Sequence, residues 1–512
     1  MTADSSQDPV GEASYSQFAC IGAGFSGIGL GAMLKRRYNI SDVRMFERES
    51  DLGGTWMINQ YPGCACDVPS ILYSYSFETN PRWDCILPPR EDTKAYLRDV
   101  ATKYNLIDKI SFNSTVEKCE WIEEKSRWRM TVRDNATDHP FIHEAQFLFS
   151  GVGLFSEPRG LDIPGIENFS GPVVHPARWP QGLDLTDKKV VVFGNGCSAC
   201  QIVAATVEQT AHTTQVIRSK HWIIPNMKEM INWSPFGTLT KYAPWTVSMQ
   251  RSLLFWVTEM EYPAFLMNGF ASWLRRRAAR AAVANIKATA PEKYHDLLIP
   301  NFEMGYKRRI FDPGYLKSLN SDKITLTDEP VLEIVPEGIR TKDGVTEADV
   351  IVSATGFKTN RFLVDIDVVG RNGERLQQHW SKLGGATAYD CSAVSGFPNF
   401  FFMCGPNSGT GHTSLIMAIE NSINLGLRVI KPVLDGKATS VELKPGAEQE
   451  YAKKLQADLK KRVWASAEGH TWYIDENKET GEKWNASMYP WWQVYHWYRS
   501  VFPTWKDWDL QK

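Results

Sequence analysis

Twice in 512 residues an apolar run leads through a glycine turn into a helical stretch. The first is Gln17-Phe-Ala-Cys-Ile21, then Gly22-Ala-Gly24-Phe-Ser-Gly27, with helical character to about Arg37. The second is Lys189-Val-Val-Val-Phe193, then Gly194-Asn-Gly196-Cys-Ser198-Ala199. Glycines there allow a tight turn and bring backbone close to a pyrophosphate, which rests on the helix N-terminus. Alone, such a motif says little; between strand and helix it specifies a nucleotide fold. Ala199 in place of the third glycine is tolerated. The pair predicts an α/β chain with two Rossmann-like dinucleotide-binding domains, and electrons passing between two cofactors.

The next strand of each unit tells the two sites apart. Val43-Arg-Met-Phe-Glu47 ends in an acid suited to accept hydrogen bonds from free ribose hydroxyls. Thr214-Gln-Val-Ile217 ends instead in Arg218, with Lys220 following and no acid at that place. Guanidinium and ammonium suit a 2′-phosphate. The first site is expected to hold FAD and the second NADPH.

Between the turns lies Phe169-Ser-Gly171-Pro-Val-Val-His175-Pro-Ala-Arg-Trp179-Pro180. This spacing resembles the fingerprint of Baeyer–Villiger monooxygenases, flavoproteins that insert oxygen beside a ketone carbonyl. Related N- and S-oxygenating flavin monooxygenases end the motif without Trp-Pro. Other stretches carry the same resemblance. Gly53-Gly54-Thr55-Trp56 and Asn59-Gln-Tyr61-Pro-Gly-Cys-Ala-Cys-Asp67 are similar to runs that wrap the flavin, with the Asp facing its reactive side. Gly305-Tyr-Lys307-Arg308 is similar to a segment whose Arg reaches the flavin and whose Lys approaches the NADP phosphate, although Arg309 could take the role if the register slips by one. Ile351-Val-Ser-Ala-Thr-Gly356-Phe357 resembles a return strand, and Trp472 stands where the family places an NADP-contacting Trp.

The resemblance implies reduction of FAD by NADPH, a flavin C4a-peroxide, and attack on a small-molecule ketone to give an ester or lactone. Arg308 would stabilise the anionic peroxide and Asp67 would hold or tune Arg308. His175 would brace the linker as the domains rearrange; acting as a proton carrier is the other reading. Heteroatom oxygenation is the nearest alternative. A disulfide reductase is a further one, because Cys197-Ser-Ala-Cys200 has redox spacing; here, however, the pair sits inside the phosphate turn.

Length predicts more than one domain. The expected division is a tail over 1–16, FAD-binding parts over 17–153 and 385–512, NADPH-binding parts over 154–218 and 305–384, and a helical insert over 219–304 above the substrate cavity. Lys+Arg 57 against Asp+Glu 59 gives no electrostatic case for nucleic acid. The longest apolar stretch, 252–274, is broken by Glu259, Glu261 and Pro263, so no integral membrane segment is expected. Arg275, Arg276 and Arg277 with their apolar flank allow a peripheral membrane face as one reading; the neighbouring Glu259 and Glu261 make a solvated helix surface the expectation. Nine scattered cysteines suggest reduced thiols in a cytoplasmic enzyme. Cys64 and Cys66 lack the further ligands a zinc site needs and are expected to pack, so no metal is expected.

Overall fold

The computed structural model describes residues 13–226, 233–466, 471–476 and 481–512; residues 1–12 of the expected tail lie outside these. Strand β1 (Ser14–Ile21) begins inside that tail and feeds helix α1 (Phe25–Tyr38) and β2 (Val43–Phe46). β1 and β2 pair in parallel, as a helical crossover demands. α1 stops where Asn39 turns left-handed at φ 55°, with Lys35, Arg36 and Arg37 set against the negative end of the helix dipole. The short α2 (Thr55–Ile58), α3 (Arg90–Lys103) and β3 (Ile110–Ser111) follow. Next comes an antiparallel meander of β4 (Ser114–Ile122), β5 (Arg127–Asp134) and β6 (His139–Ser150). The far end of β6 runs parallel to β1, which stacks Phe147 on Phe18 with ring centroids 4.8 Å apart.

The second unit opens with β7 (Val173–Val174), β8 (Lys189–Phe193), α4 (Cys197–Thr206), β9 (His212–Val216) and β10 (Ile223–Ile224). Three longer helices follow among the described residues, α5 (Trp233–Tyr242), α6 (Thr246–Glu259) and α7 (Gly269–Thr289), with a single helical turn at His295–Leu298 after them. The chain returns through β11 (Ile310–Phe311), paired with β10, and β12 (Ile324–Thr327). A small antiparallel sheet, β13 (Glu333–Val335), β14 (Gly338–Thr341) and β15 (Gly344–Glu347), leads to β16 (Val350–Ser353). The second main sheet is parallel throughout, in the order β12-β9-β8-β16-β7. Near-continuous Val and Ile in β8 and β16 suit strands covered on both faces.

Back in the first unit lie β17 (Asp367–Val369), β18 (Phe400–Phe402) and α8 (Leu415–Val429). The first sheet runs β17-β4-β5-β6-β1-β2-β3, with β18 also on β6. β17 thus rejoins the first sheet ahead of the expected boundary after residue 384. The two crossings between units are hydrogen-bonded to one another. Pro158 bridges Phe357 in antiparallel fashion, Arg159 N donates to Gly356 O at 2.9 Å and Lys358 N to Glu157 O at 3.0 Å. An ion pair between Lys358 and Glu157 closes this ribbon.

One expectation fails in the insert. Glu259 does not face solvent: it is fully buried, pairs with His412 at 2.9 Å and accepts from Val494 N at 3.0 Å. Arg275 is also buried, donating to Glu303 and to the carbonyls of Ala264 and Leu266. Sequence spacing placed these charges near one another; tertiary partners turned both inward.

The Phe169–Pro180 segment is stitched to the second unit. β7 pairs with β16, and a Cβ at Gly171 would meet Asp349 O at 2.3 Å. Gly171→Ala should therefore destabilise the protein by about 2 kcal/mol, whereas Gly160→Ala, in open space, should be neutral. Thermal unfolding of the two variants checks this; equal melting points would contradict the packing argument.

Candidate active site

Each glycine turn meets the need that its spacing implied. Gly22 has φ 95°, and a Cβ on Gly27 would lie 2.2 Å from Gly22 O, so helix and strand pack this closely only without a side chain. A Cβ on Gly24 would come within 3.3 Å of Gly54 Cα, so the Gly53-Gly54 loop leans on the turn. In the second turn Gly194 (φ 115°) abuts Ala354 O, and Gly196 has open space before it. Neither α1 nor α4 has a side-chain N-cap, which leaves their first amides to an outside acceptor. Asn195 Nδ2, buried in the second turn, has no hydrogen-bond partner among the described residues.

Glu47 is buried, and its two carboxylate oxygens accept from Ala23 N (2.8 Å) and Glu49 N (3.1 Å). It thus pins the first turn to β2, and each oxygen retains a lone pair for a ribose hydroxyl. Burial raises its pKa above the ordinary carboxylate value. At the second turn, Arg218 is exposed and Lys220 and Lys307 are half-buried; none has an acidic partner among the described residues. Burial, and then the nearby Arg218 guanidinium, pull the Lys307 ammonium below its usual range. Cations gathered without an anion suit a phosphate. The residues present therefore fit FAD at the first turn and a 2′-phosphorylated dinucleotide at the second.

The two units meet along the loop at 61–67. Tyr61 donates to Gln201 Oε1 at 2.8 Å and accepts from Ser198 Oγ at 3.2 Å, while Gln201 Nε2 holds Ala65 O at 3.0 Å. Arg308 reaches Asp67 Oδ2 with both Nε and Nη2, each at 2.7 Å. The Asp67 carboxylate holds the guanidinium above even its high ordinary pKa. Arg308 lies deep among protein atoms, yet 38% of its side chain is accessible, as expected on the wall of a cleft. Three of its five N–H groups remain for another acceptor. Arg309 turns away to Glu261 at 2.7 Å, so of the two arginines Arg308 is the one that meets Asp67.

The remaining expected residues divide. Trp56 is buried and donates to Tyr73 OH at 3.2 Å; Thr55 opens α2 beside Gly54. His175 accepts from Ala177 N at 3.1 Å and so donates from Nε2 to Gly356 O at 3.0 Å. Both ring nitrogens are thus engaged by backbone groups, and burial lowers the imidazole pKa. Phe169 packs with Ile334 and Ile339, Trp179 is buried, and Pro180 follows it at the surface. Trp472 stands edge-on to Phe155 at 5.9 Å, with its carbonyl held by Thr359 and Asn360.

Three contributors were not singled out from sequence. Gln201 is the α4 residue that binds the flavin-side loop. Tyr473 is buried near Arg308, and His221 contacts the Arg308 backbone. Only Tyr473, adjacent to Trp472, carried a local signal.

All nine cysteines are free. Burial raises Cys197 to about 12 and Cys64 to about 11, and no metal-binding cluster occurs among the described residues. A thiolate attack needs a lower pKa than that. Native protein at pH 8 should leave Cys197 and Cys200 unmodified by a disulfide reagent, with nine thiols appearing in denaturant. Rapid modification of either would restore the disulfide-reductase reading.

Residues 16–241 match the flavin-binding monooxygenase-like family model. A Baeyer–Villiger monooxygenase of Streptomyces coelicolor is 33% identical over 478 residues, covering 92% of this chain and 89% of its own. One from Pseudomonas aeruginosa is 32% identical, covering 92% and 87%. Among solved structures, a cyclohexanone monooxygenase of a Rhodococcus species bound to NADP+ superposes with a TM-score of 0.82 at 22% identity, over 98% of this chain and all of that one. A steroid monooxygenase bound to NADP gives 0.80 at 24%, with the same coverage.

Proposed function

The chain belongs to the family of flavin-binding monooxygenases that includes the Baeyer–Villiger enzymes, and on that premise we propose that it inserts one oxygen atom of O2 beside the carbonyl of a ketone, giving an ester or lactone. Its cofactors in this reading are FAD, held at Gly22, Gly24, Gly27, Glu47 and the Gly54–Tyr61 loop, and NADPH, held at Gly194, Gly196, Ser198, Arg218, Lys220, Lys307 and Trp472. When bound, these two groups supply the redox chemistry, the reduction of flavin and the activation of O2 on it.

The observation that carries the reading is the Asp67–Arg308 pair, set where the loop of the first unit meets α4 of the second. Ketone oxygenation requires negative charge on the attacking oxygen and then on the carbonyl oxygen. Arg308 is a permanent cation with free donors, suited to stabilise both. By accepting two bonds on one oxygen, Asp67 fixes the plane of the guanidinium and leaves its outer edge open. Tyr61, Ser198 and Gln201 hold the loop that carries Asp67, and His175 holds the linker to the unit that binds the nicotinamide cofactor.

Arg308→Ala should lower oxygenation of a ketone panel by at least about 100-fold while NADPH oxidation continues and hydrogen peroxide appears. Arg309→Ala should stay within a few-fold of wild type. Product analysis with flavin content as a control separates them; a ketone-oxidising Arg308→Ala would reject the proposed role, and sulfide or amine oxidation in place of ketone oxidation would favour the heteroatom reading.

Arg218→Ala with Lys220→Ala should raise KM for NADPH about tenfold or more with kcat little changed, and leave KM for NADH unmoved. Steady-state kinetics with both nucleotides gives the result; parallel loss for both would argue against 2′-phosphate recognition.

A further inference from the structure

The outer surface of the insert departs from the rest of the molecule. Among the described residues, thirteen large apolar side chains are more than half exposed, and ten of them lie between Tyr242 and Trp273. Scattered apolar residues on a surface need no explanation; a contiguous run of them does.

Helix α6 is amphipathic in the reverse of the usual sense. Its two charged residues point inward: Arg251 donates to the carbonyls of Ile71 and Leu72, and Glu259 is buried on His412. Its exposed face carries Met249, Leu253, Trp256, Val257 and, just beyond, Met260, with only serines between them. Spacings of four, three and four place Met249, Leu253, Trp256 and Met260 on one side. Over its whole solvent face the helix shows no charge.

Helix α7 continues the theme and then changes it. Phe270 and Trp273 stand exposed in its first turns, stacked at 6.1 Å. Along the same face follow Arg277, Arg280 and Lys287. α7 contains no acidic residue, and the three cations have no acidic partner among the described residues. The nearest accessible acid by sequence, Glu261, is committed to Arg309.

We infer that α6 and α7 dock this face on the surface of an anionic phospholipid bilayer. Trp, Met, Leu and Phe would enter the headgroup–acyl boundary while Arg277, Arg280 and Lys287 meet lipid phosphates. Trp245, Trp256 and Trp273 are the residue type favoured at that depth. The binding is interfacial, since no described helix is long and apolar enough to cross a membrane. Charge selects lipid over a second copy of the chain. In a twofold contact the same patch faces itself, and Arg277 and Arg280 would find no acid there. The inference does not depend on the reaction proposed above.

Cosedimentation of the flavin-loaded full chain tests it, using vesicles of phosphatidylcholine alone and of equal parts phosphatidylcholine and phosphatidylglycerol. The wild type should bind the mixed vesicles, bind the neutral ones weakly, and be released by high salt. R277E/R280E should lower binding to mixed vesicles by about tenfold or more. L253E/W256E should abolish it while keeping wild-type flavin content and melting temperature. Brominated acyl chains should quench wild-type tryptophan emission, a readout that needs no variant. Absence of binding to the mixed vesicles, or undiminished binding by L253E/W256E, would overturn the inference. So would concentration-dependent self-association of the wild type, abolished by L253E/W256E, with no affinity for lipid; the face would then be a contact between copies.

Discussion

The site depends on an ion pair made across the two units. Taking a carboxylate and a guanidinium out of water is costly, and the pair is tolerated only when each satisfies the other in good geometry. Asp67 can meet Arg308 at 2.7 Å only if the loop at 61–67 is seated on α4, and that seating uses Tyr61, Ser198 and Gln201. A Cβ at Gly63 would come within 2.8 Å of Gln201 O, so even the backbone of the loop is fitted to the helix. The same α4 begins at the second glycine turn. One helix therefore leaves its first amides open to an outside acceptor and joins the two units along its side.

This economy accounts for the position of Cys197 and Cys200. Cys197 lies 3.8 Å from Asp67 and Cys200 is packed against Asn195, both on the helix that carries the load between domains. Their redox spacing follows from helical geometry around a buried face. With their thiols raised chiefly by burial, they serve as small apolar side chains.

Much of the fold could be read in the sequence because its constraints are local. A strand, a glycine turn and a helix are specified within about thirty residues, and Gly22 and Gly27 show in the structure the close contacts that the motif implied. Lys307 and Arg308 were legible as a motif, but that Arg308 meets Asp67 while Arg309 pairs with Glu261 depends on partners far along the chain. Glu259 misled for the same reason. An acid beside arginines looks solvated until His412, far along the chain, is placed against it. β17 joining the first sheet early, and Gln201 binding Ala65, are likewise pairings between distant segments with no periodic signature. Local rules set the elements, and long-range partners decided which polar groups faced inward.

The ribbon formed where the chain crosses between units has a mechanical meaning. A single connecting strand swivels freely about its own axis. Two antiparallel segments tied at Pro158–Phe357, with Glu157 and Arg159 bonded to Lys358 and Gly356, form a flat strap instead. A strap flexes across its broad side far more readily than it twists. Bending one unit toward the other would flex this strap, whereas twisting them apart would have to break its bonds; His175 is bonded to Gly356 at its edge. The two glycine turns would open and close like pages on a binding, keeping the same faces opposed at every angle.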